Sequence, residues 1–255
     1  MLIAAGPRQL YRWLLVCIVV LVGVHICVVS GAVLFPGPVL QGLRGAFDLD
    51  AERNVPSKFS AAQLALATVM LLVLYRRSQG PYSRDRRYWL ALAAVFAYMT
   101  LDEYFSLHER LDLPVKSLLG SVSVPKFAWV VPYAALLAVF AVGFFRFWWR
   151  QQRAIRWQLA VAGSIYVGGA LGMELIGSHL ANTVGDASPL YLLEVVIEES
   201  MELVGIALFI RTLATLIQSR GAITFQFGTR DIDSHNELLQ DLEAADRRKR
   251  DRRTG

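Results

Sequence analysis

Long apolar runs alternate with short charged segments along this chain. Six runs are long enough to cross a bilayer, at about 12–35, 59–75, 88–107, 127–148, 157–179 and 190–217. Roughly 20 apolar residues in a helix rising ~1.5 Å each span the hydrocarbon slab. The pattern predicts an all-α, polytopic integral membrane protein with six transmembrane helices in a single bundle. The first run follows Arg8 and Arg12, but its apolar core exceeds the ~7–15 residues of a signal peptide. It is therefore expected to stay as a helix. Segment 36–57 holds Pro-Gly-Pro and three acids without a period, and reads as an external loop along the membrane surface.

Composition agrees with this reading. Of 255 residues, 55% are hydrophobic and 18% charged, against ~25% charged in soluble domains. Cys17 and Cys27 lie ten residues apart in the first run, too far apart on a helix to bond, and are expected as free, buried thiols. Residues 1–218 form the expected transmembrane domain, and residues 219–255 a basic tail whose segment HNELLQDLEAADRRKR suits a polar helix.

Charge placement sets an orientation. All but six of the 26 Lys and Arg fall in the loops 76–87 and 146–156, near the N-terminus, or at and after the end of run six. The six are Arg44, Arg53, Lys58, Arg110, Lys116 and Lys126. The positive-inside rule puts the richer side in the cytoplasm, with both termini inside, in a cell membrane. The net charge of +5 is thus a topology signal. Membrane lipids are the expected partners, and nucleic acid is not.

The exception to the apolar pattern carries the chemistry. Run six contains Glu194, Glu198, Glu199 and Glu202, and a charge at the centre of a spanning helix costs ~2.5–3.5 kcal/mol or more. Run three ends with Asp102, Glu103, His108 and Glu109, and run five with Glu174 and His179. Runs three and five travel outward and run six inward, so all three groups meet at the extracytoplasmic ends. At ~100° per residue, Tyr98, Asp102, Ser106 and Glu109 share a face of run three. Glu194, Glu198 and Glu202 form a stripe with Tyr191 and Gly205. Glu174 and Ser178 share a face with Gly163, Ala170 and Gly177, whose small side chains allow close helix approach. His25 falls near the same level and reads first as a helix-contact residue. Runs two and four read as scaffold.

Eight carboxylates at close range repel by several kcal/mol per pair at an effective dielectric of ~20. They must hold protons or bind cations. Carboxylates with a few imidazoles are the ligands of dinuclear iron or manganese centres between facing helices. Asp102, Glu109, Glu174, Glu198 and Glu202 are the expected ligands, completed by His108 and His179, with Glu103 or Glu199 as acid or base. Iron or manganese is favoured; zinc and calcium are the alternatives. Five residues turn ~140° on a helix, so Glu174 and His179 need not reach one ion. The expected function is a metal-dependent membrane enzyme that hydrolyses or oxidises a lipid-like substrate. The alternatives are a divalent-cation or proton-coupled transporter and an assembly protein with a structural ion.

Overall fold

Each apolar run is helical in the computed structural model of the chain, which describes residues 6–35, 37–111, 114, 117 and 129–220. The helices are α1 (Pro7–Leu34), α2 (Pro38–Phe47), α3 (Val55–Arg77), α4 (Arg86–Phe105), α5 (Val130–Arg150), α6 (Arg153–Val167), α7 (Glu174–Thr183) and α8 (Pro189–Ser219). A π-helical turn, Gly168–Met173, makes α6 and α7 one continuous rod. No strand occurs among the described residues. Five helices, counting that rod as one, are long and apolar enough to cross a membrane. Helix α4 has 20 residues, but Asp102 and Glu103 interrupt its apolar run. The expected tail helix and basic run lie outside the described residues.

Segment 36–57 departs from the loop expectation, because Pro38–Phe47 is helical. Its Leu40, Leu43 and Phe47 step by three and four residues, a short helical stripe. Pro38 suits the first helical turn, where its missing N–H costs nothing. Leu40 packs over Gly31 of α1. The chain then turns at Arg53, whose φ is +61°. It enters α3 through a capping box: Asn54 accepts from the Ser57 amide, and the Ser57 hydroxyl accepts from the Asn54 amide. Cys17 and Cys27 are free as expected, but both are exposed on the outside of α1 rather than buried.

Helix α8 is the hub. It packs against α1, α3, α6, the π turn and α7, and α3 pairs with α4. Lipid is as apolar as leucine, so close van der Waals contact decides such packing. A Cβ on Gly205 would sit 2.7 Å from the Tyr166 amide nitrogen, and one on Gly169 2.9 Å from the Glu198 carbonyl. Backbone meets backbone there and cannot yield. Gly205→Ala is expected to destabilise the bundle by ~1–3 kcal/mol, as overpacking does. Gly143→Ala, in open space on α5, is expected to be neutral or stabilising by ~0.5–1 kcal/mol. Equal unfolding midpoints for the two variants would contradict this packing.

The two ends of the bundle differ chemically. At one end Arg150 bonds Asp85 at 2.8 Å, Arg77 bonds the Ile217 carbonyl and Arg220 bonds Ser78. Below the surface of that end Leu64, Leu71, Leu74, Trp89, Ile210 and Leu213 form a closed core. At the other end residues 48–54, the end of α4, the start of α5 and the start of α8 bring acids and a histidine together.

Candidate functional site in an acidic chamber

The loop between α2 and α3 is built to hold still. The Leu49 amide donates to His25 Nδ1 at 3.0 Å, so the ring proton is on Nε2. His25, 2% exposed, thus pins the loop to α1 as a helix-contact residue. The Asn54 side chain donates to the Asp48 carbonyl, and the Tyr191 hydroxyl reaches Asp50 at 3.3 Å. These contacts carry Asp50 and Glu52 over the acidic ends of α4 and α8.

Helix α4 stops one residue early for the phase expected from sequence. Ser106 takes a left-handed conformation, φ +52°, and the Leu107 amide bonds back to the Asp102 carbonyl. The chain reverses, so Ser106 no longer shares the helical face of Asp102. His108 folds back: its Nδ1 lies 3.3 Å from Asp102 and its Nε2 3.7 Å from Glu52. The Ser106 hydroxyl donates to Glu52 at 3.1 Å. Tyr133 of α5 donates to the other Asp102 oxygen at 3.0 Å and lies 2.7 Å from the Tyr98 hydroxyl. A continuous line therefore runs Tyr98–Tyr133–Asp102–His108–Glu52. Burial alone pulls the His108 imidazole down. The Asp102 hydrogen bond and the charges of Asp102, Glu52 and Glu103 outweigh it and carry the group up to about 9. Between two carboxylates the imidazolium form is favoured at neutral pH.

The remaining acids gather beside this line. Glu174, Glu194 and Glu198 lie close enough to act on one another electrostatically, and neither Glu194 carboxyl oxygen has a hydrogen-bond partner among the described residues. Glu199 and Glu202 act on each other electrostatically, and Glu103 acts on both. Ser60 of α3 lies beside Glu103. Glu194, 3% exposed, has its carboxyl over Gly177, where a Cβ would come within 2.6 Å of an oxygen. The small residue makes room for the acid.

These acids, with His108, Tyr98 and Tyr133, line one cavity of about 1090 Å³. Asp50, Glu52, Asp102, Glu103, Glu174, Glu194, Glu198, Glu199, Glu202 and His108 surround its acidic end. Phe140, Phe144, Phe147, Leu159 and Ala162 line the rest. Along α5 it runs from Tyr133 to Trp148, roughly 20 Å at ~1.5 Å per residue. No Lys or Arg is among the described residues that line it.

Most of the sequence-expected site therefore converges, with two differences, at His179 and in the helical phase around the π turn. His179 is exposed and does not line the cavity. Glu109 opens a 3₁₀ turn, Glu109–Leu111, and its side chain lies outside the described residues. The π turn adds a residue to the helical phase, so Gly169 and Gly177 meet α8 while Gly163 faces the open cavity. Among the described residues no three His, Cys, Asp or Glu side chains are close enough together to hold a metal ion. Three contributors were not expected as site residues: Asp50, Glu52 and Tyr133. The acids of 48–52 follow run one, and alternating spans put them at the same end as the acids of runs three, five and six whichever way the bundle points, which was the available signal. Tyr133 offered none, and it shows that α5 is more than scaffold.

The pattern of a protein family described as Domain of unknown function (DUF8692) matches residues 11–216, and the chain belongs to that family. The match runs from α1 through α8 and includes the whole chamber. No curated protein and no solved structure matches the chain.

Proposed function

We propose that the protein is a membrane-embedded hydrolase that takes a lipid-like substrate into this chamber and cuts it at the acidic end. The observation that carries the reading is the two-part wall of one cavity. An apolar passage roughly 20 Å long suits an alkyl or polyprenyl chain, and it leads directly to nine carboxylates and an imidazolium. In the proposed orientation there are six spans, with both termini cytoplasmic. The basic end then lies inside and the acidic end beneath the extracytoplasmic surface.

The acids need neutralisation, since no Lys or Arg is among the described lining residues. No three acids among the described residues are close enough together, as they stand, to hold a metal ion, so we propose that one divalent cation draws Glu103, Glu199 and Glu202 together on binding, with Glu174 and Glu198 beside them. With His108 held between carboxylates and His179 facing away, the donors are oxygens. Oxygen donors suit manganese or calcium better than iron or zinc. Glu103 or Glu199 would take the proton of the attacking water. His108 would give one to the leaving oxygen, re-protonated along the Tyr133–Asp102 line. A transport path would need polar groups through the inner half, where the wall is Phe140, Phe144 and Phe147. That wall favours a one-sided site.

The test is elemental analysis and lipid extraction of the purified protein, wild type beside Glu202→Gln. Stoichiometric divalent metal and a co-purifying lipid in the wild type, with metal lost in the variant, are expected. Wild-type protein that takes up neither after metal-supplemented growth would sink the proposal.

A further inference from the structure

We infer a second site, at the basic end of the bundle, for a phosphate ester carrying a free hydroxyl: the headgroup of an anionic glycerophospholipid. A separate cavity of about 360 Å³ lies there, lined by Arg8, Gln158, Arg211, Thr215 and Gln218 with the start of α1. It shares no lining residue with the acidic chamber.

Two observations point to the ligand. Arg211 lies within the apolar helix α8 and is only partly exposed. Its guanidinium stacks over the Tyr11 ring at 5.3 Å, and no carboxylate is among the described residues lining the cavity. A cation at that depth calls for an anion, and a guanidinium fork matches phosphate oxygens. Arg8 supplies a second positive charge from another helix, at the positive end of the α1 dipole. Independently, the side-chain oxygen of Gln158 is shielded from solvent and has no hydrogen-bond donor among the described residues. Buried acceptors are normally satisfied. A phosphodiester has oxygens for the arginines but no O–H of its own, whereas a headgroup hydroxyl supplies a donor. Exposed Trp157, next to Gln158, suits the interface between apolar and polar membrane layers, which favours a lipid as the source of that phosphate.

The experiment uses the full chain in nanodiscs of phosphatidylcholine, alone or mixed with phosphatidylglycerol or phosphatidylmethanol, and reads the thermal midpoint. Phosphatidylglycerol is expected to raise the wild-type midpoint by a few degrees, and more than phosphatidylmethanol, whose anionic headgroup carries no hydrogen-bond donor. Arg211→Gln and Arg8→Gln are expected to lose that rise. Arg8 is exposed at the first turn of α1, so its variant keeps the test readable if Arg211→Gln misfolds. Gln158→Leu is expected to equalise the two anionic lipids. Equal wild-type midpoints in all discs would overturn the site. So would a phosphatidylglycerol response in Arg8→Gln as large as in wild type, which would assign the effect to the basic tail. Glycerol phosphate added to phosphatidylcholine discs separates the sources: if it reproduces the rise, the phosphate is soluble and the lipid assignment falls.

Discussion

Asp102→Asn is expected to lower stability near neutral pH by up to roughly 3 kcal/mol and to flatten its pH dependence. Asp102 holds two partners at once, the Tyr133 hydroxyl at 3.0 Å and His108 Nδ1 at 3.3 Å. The second contact has a defined sign. The His108 imidazole rises from 6.5 to about 9 in the folded protein. Its folded-state pKa is above the unfolded one, so the folded state binds the proton more tightly. The stabilisation is fully present below pH 6.5 and is lost as pH rises through about 9. At ~1.4 kcal/mol per unit, the whole rise amounts to roughly 3 kcal/mol. Asp102 provides the hydrogen bond and part of the charge, and Glu52 and Glu103 the remainder. The wild-type unfolding free energy should therefore fall between pH 6.5 and 9, and fall less in the variant. Parallel profiles would show that the Asp102–His108 contact contributes nothing to folding.

The same residues show how far the sequence could be read. That the acids converge was legible because it rests on two robust rules. Apolar run length predicts which helices cross, and successive crossings alternate in direction whichever way the first one points. Those rules put Asp102, Glu174 and Glu198 at one end, and the three line one cavity. The stripe Glu194–Glu198–Glu202 was legible because α8 is an unbroken helix across it. Phase failed wherever the backbone left the ideal helix. The left-handed Ser106 has no glycine or proline to announce it, and it moved His108 from the helix flank to the Asp102 carboxylate. The π turn before Glu174 does carry three glycines, but small residues there read as helix packing and not as a break in phase, and it exchanged Gly163 for Gly169 at the α8 contact. Tertiary pairing was illegible for a different reason. The Tyr133–Asp102 and Glu52–His108 contacts join residues 31 and 56 positions apart, and no local pattern encodes them. The Pro-Gly-Pro break hid α2, because a ten-residue stripe is too short to stand out beside spanning runs.

The division of the chamber makes its two halves separable by substitution. Gly163 lines the cavity, and a Cβ there meets nothing within 4 Å. Gly163→Trp therefore projects an indole into the passage without disturbing the helix contact made by Gly169 and Gly177. It is expected to reduce co-purified lipid by at least ~10-fold, since filling the passage costs the ligand its apolar burial at ~25 cal/mol per Å², and to leave metal content unchanged. Glu202→Gln does the opposite. It keeps the shape of the side chain and removes one negative oxygen donor from the group formed with Glu103 and Glu199. Divalent affinity depends on the number of charged ligands over several decades, so a loss of ~10-fold or more is expected, with lipid occupancy retained. Glu202 also acts electrostatically on Glu199, so removing its charge lessens the repulsion the fold must tolerate. The variant should accordingly be at least as stable as wild type without metal, and less stable than wild type with it. If both substitutions remove lipid and metal together, the apolar passage and the acidic end are not independent, and the chamber does not work as a chain-binding passage leading to a cation centre.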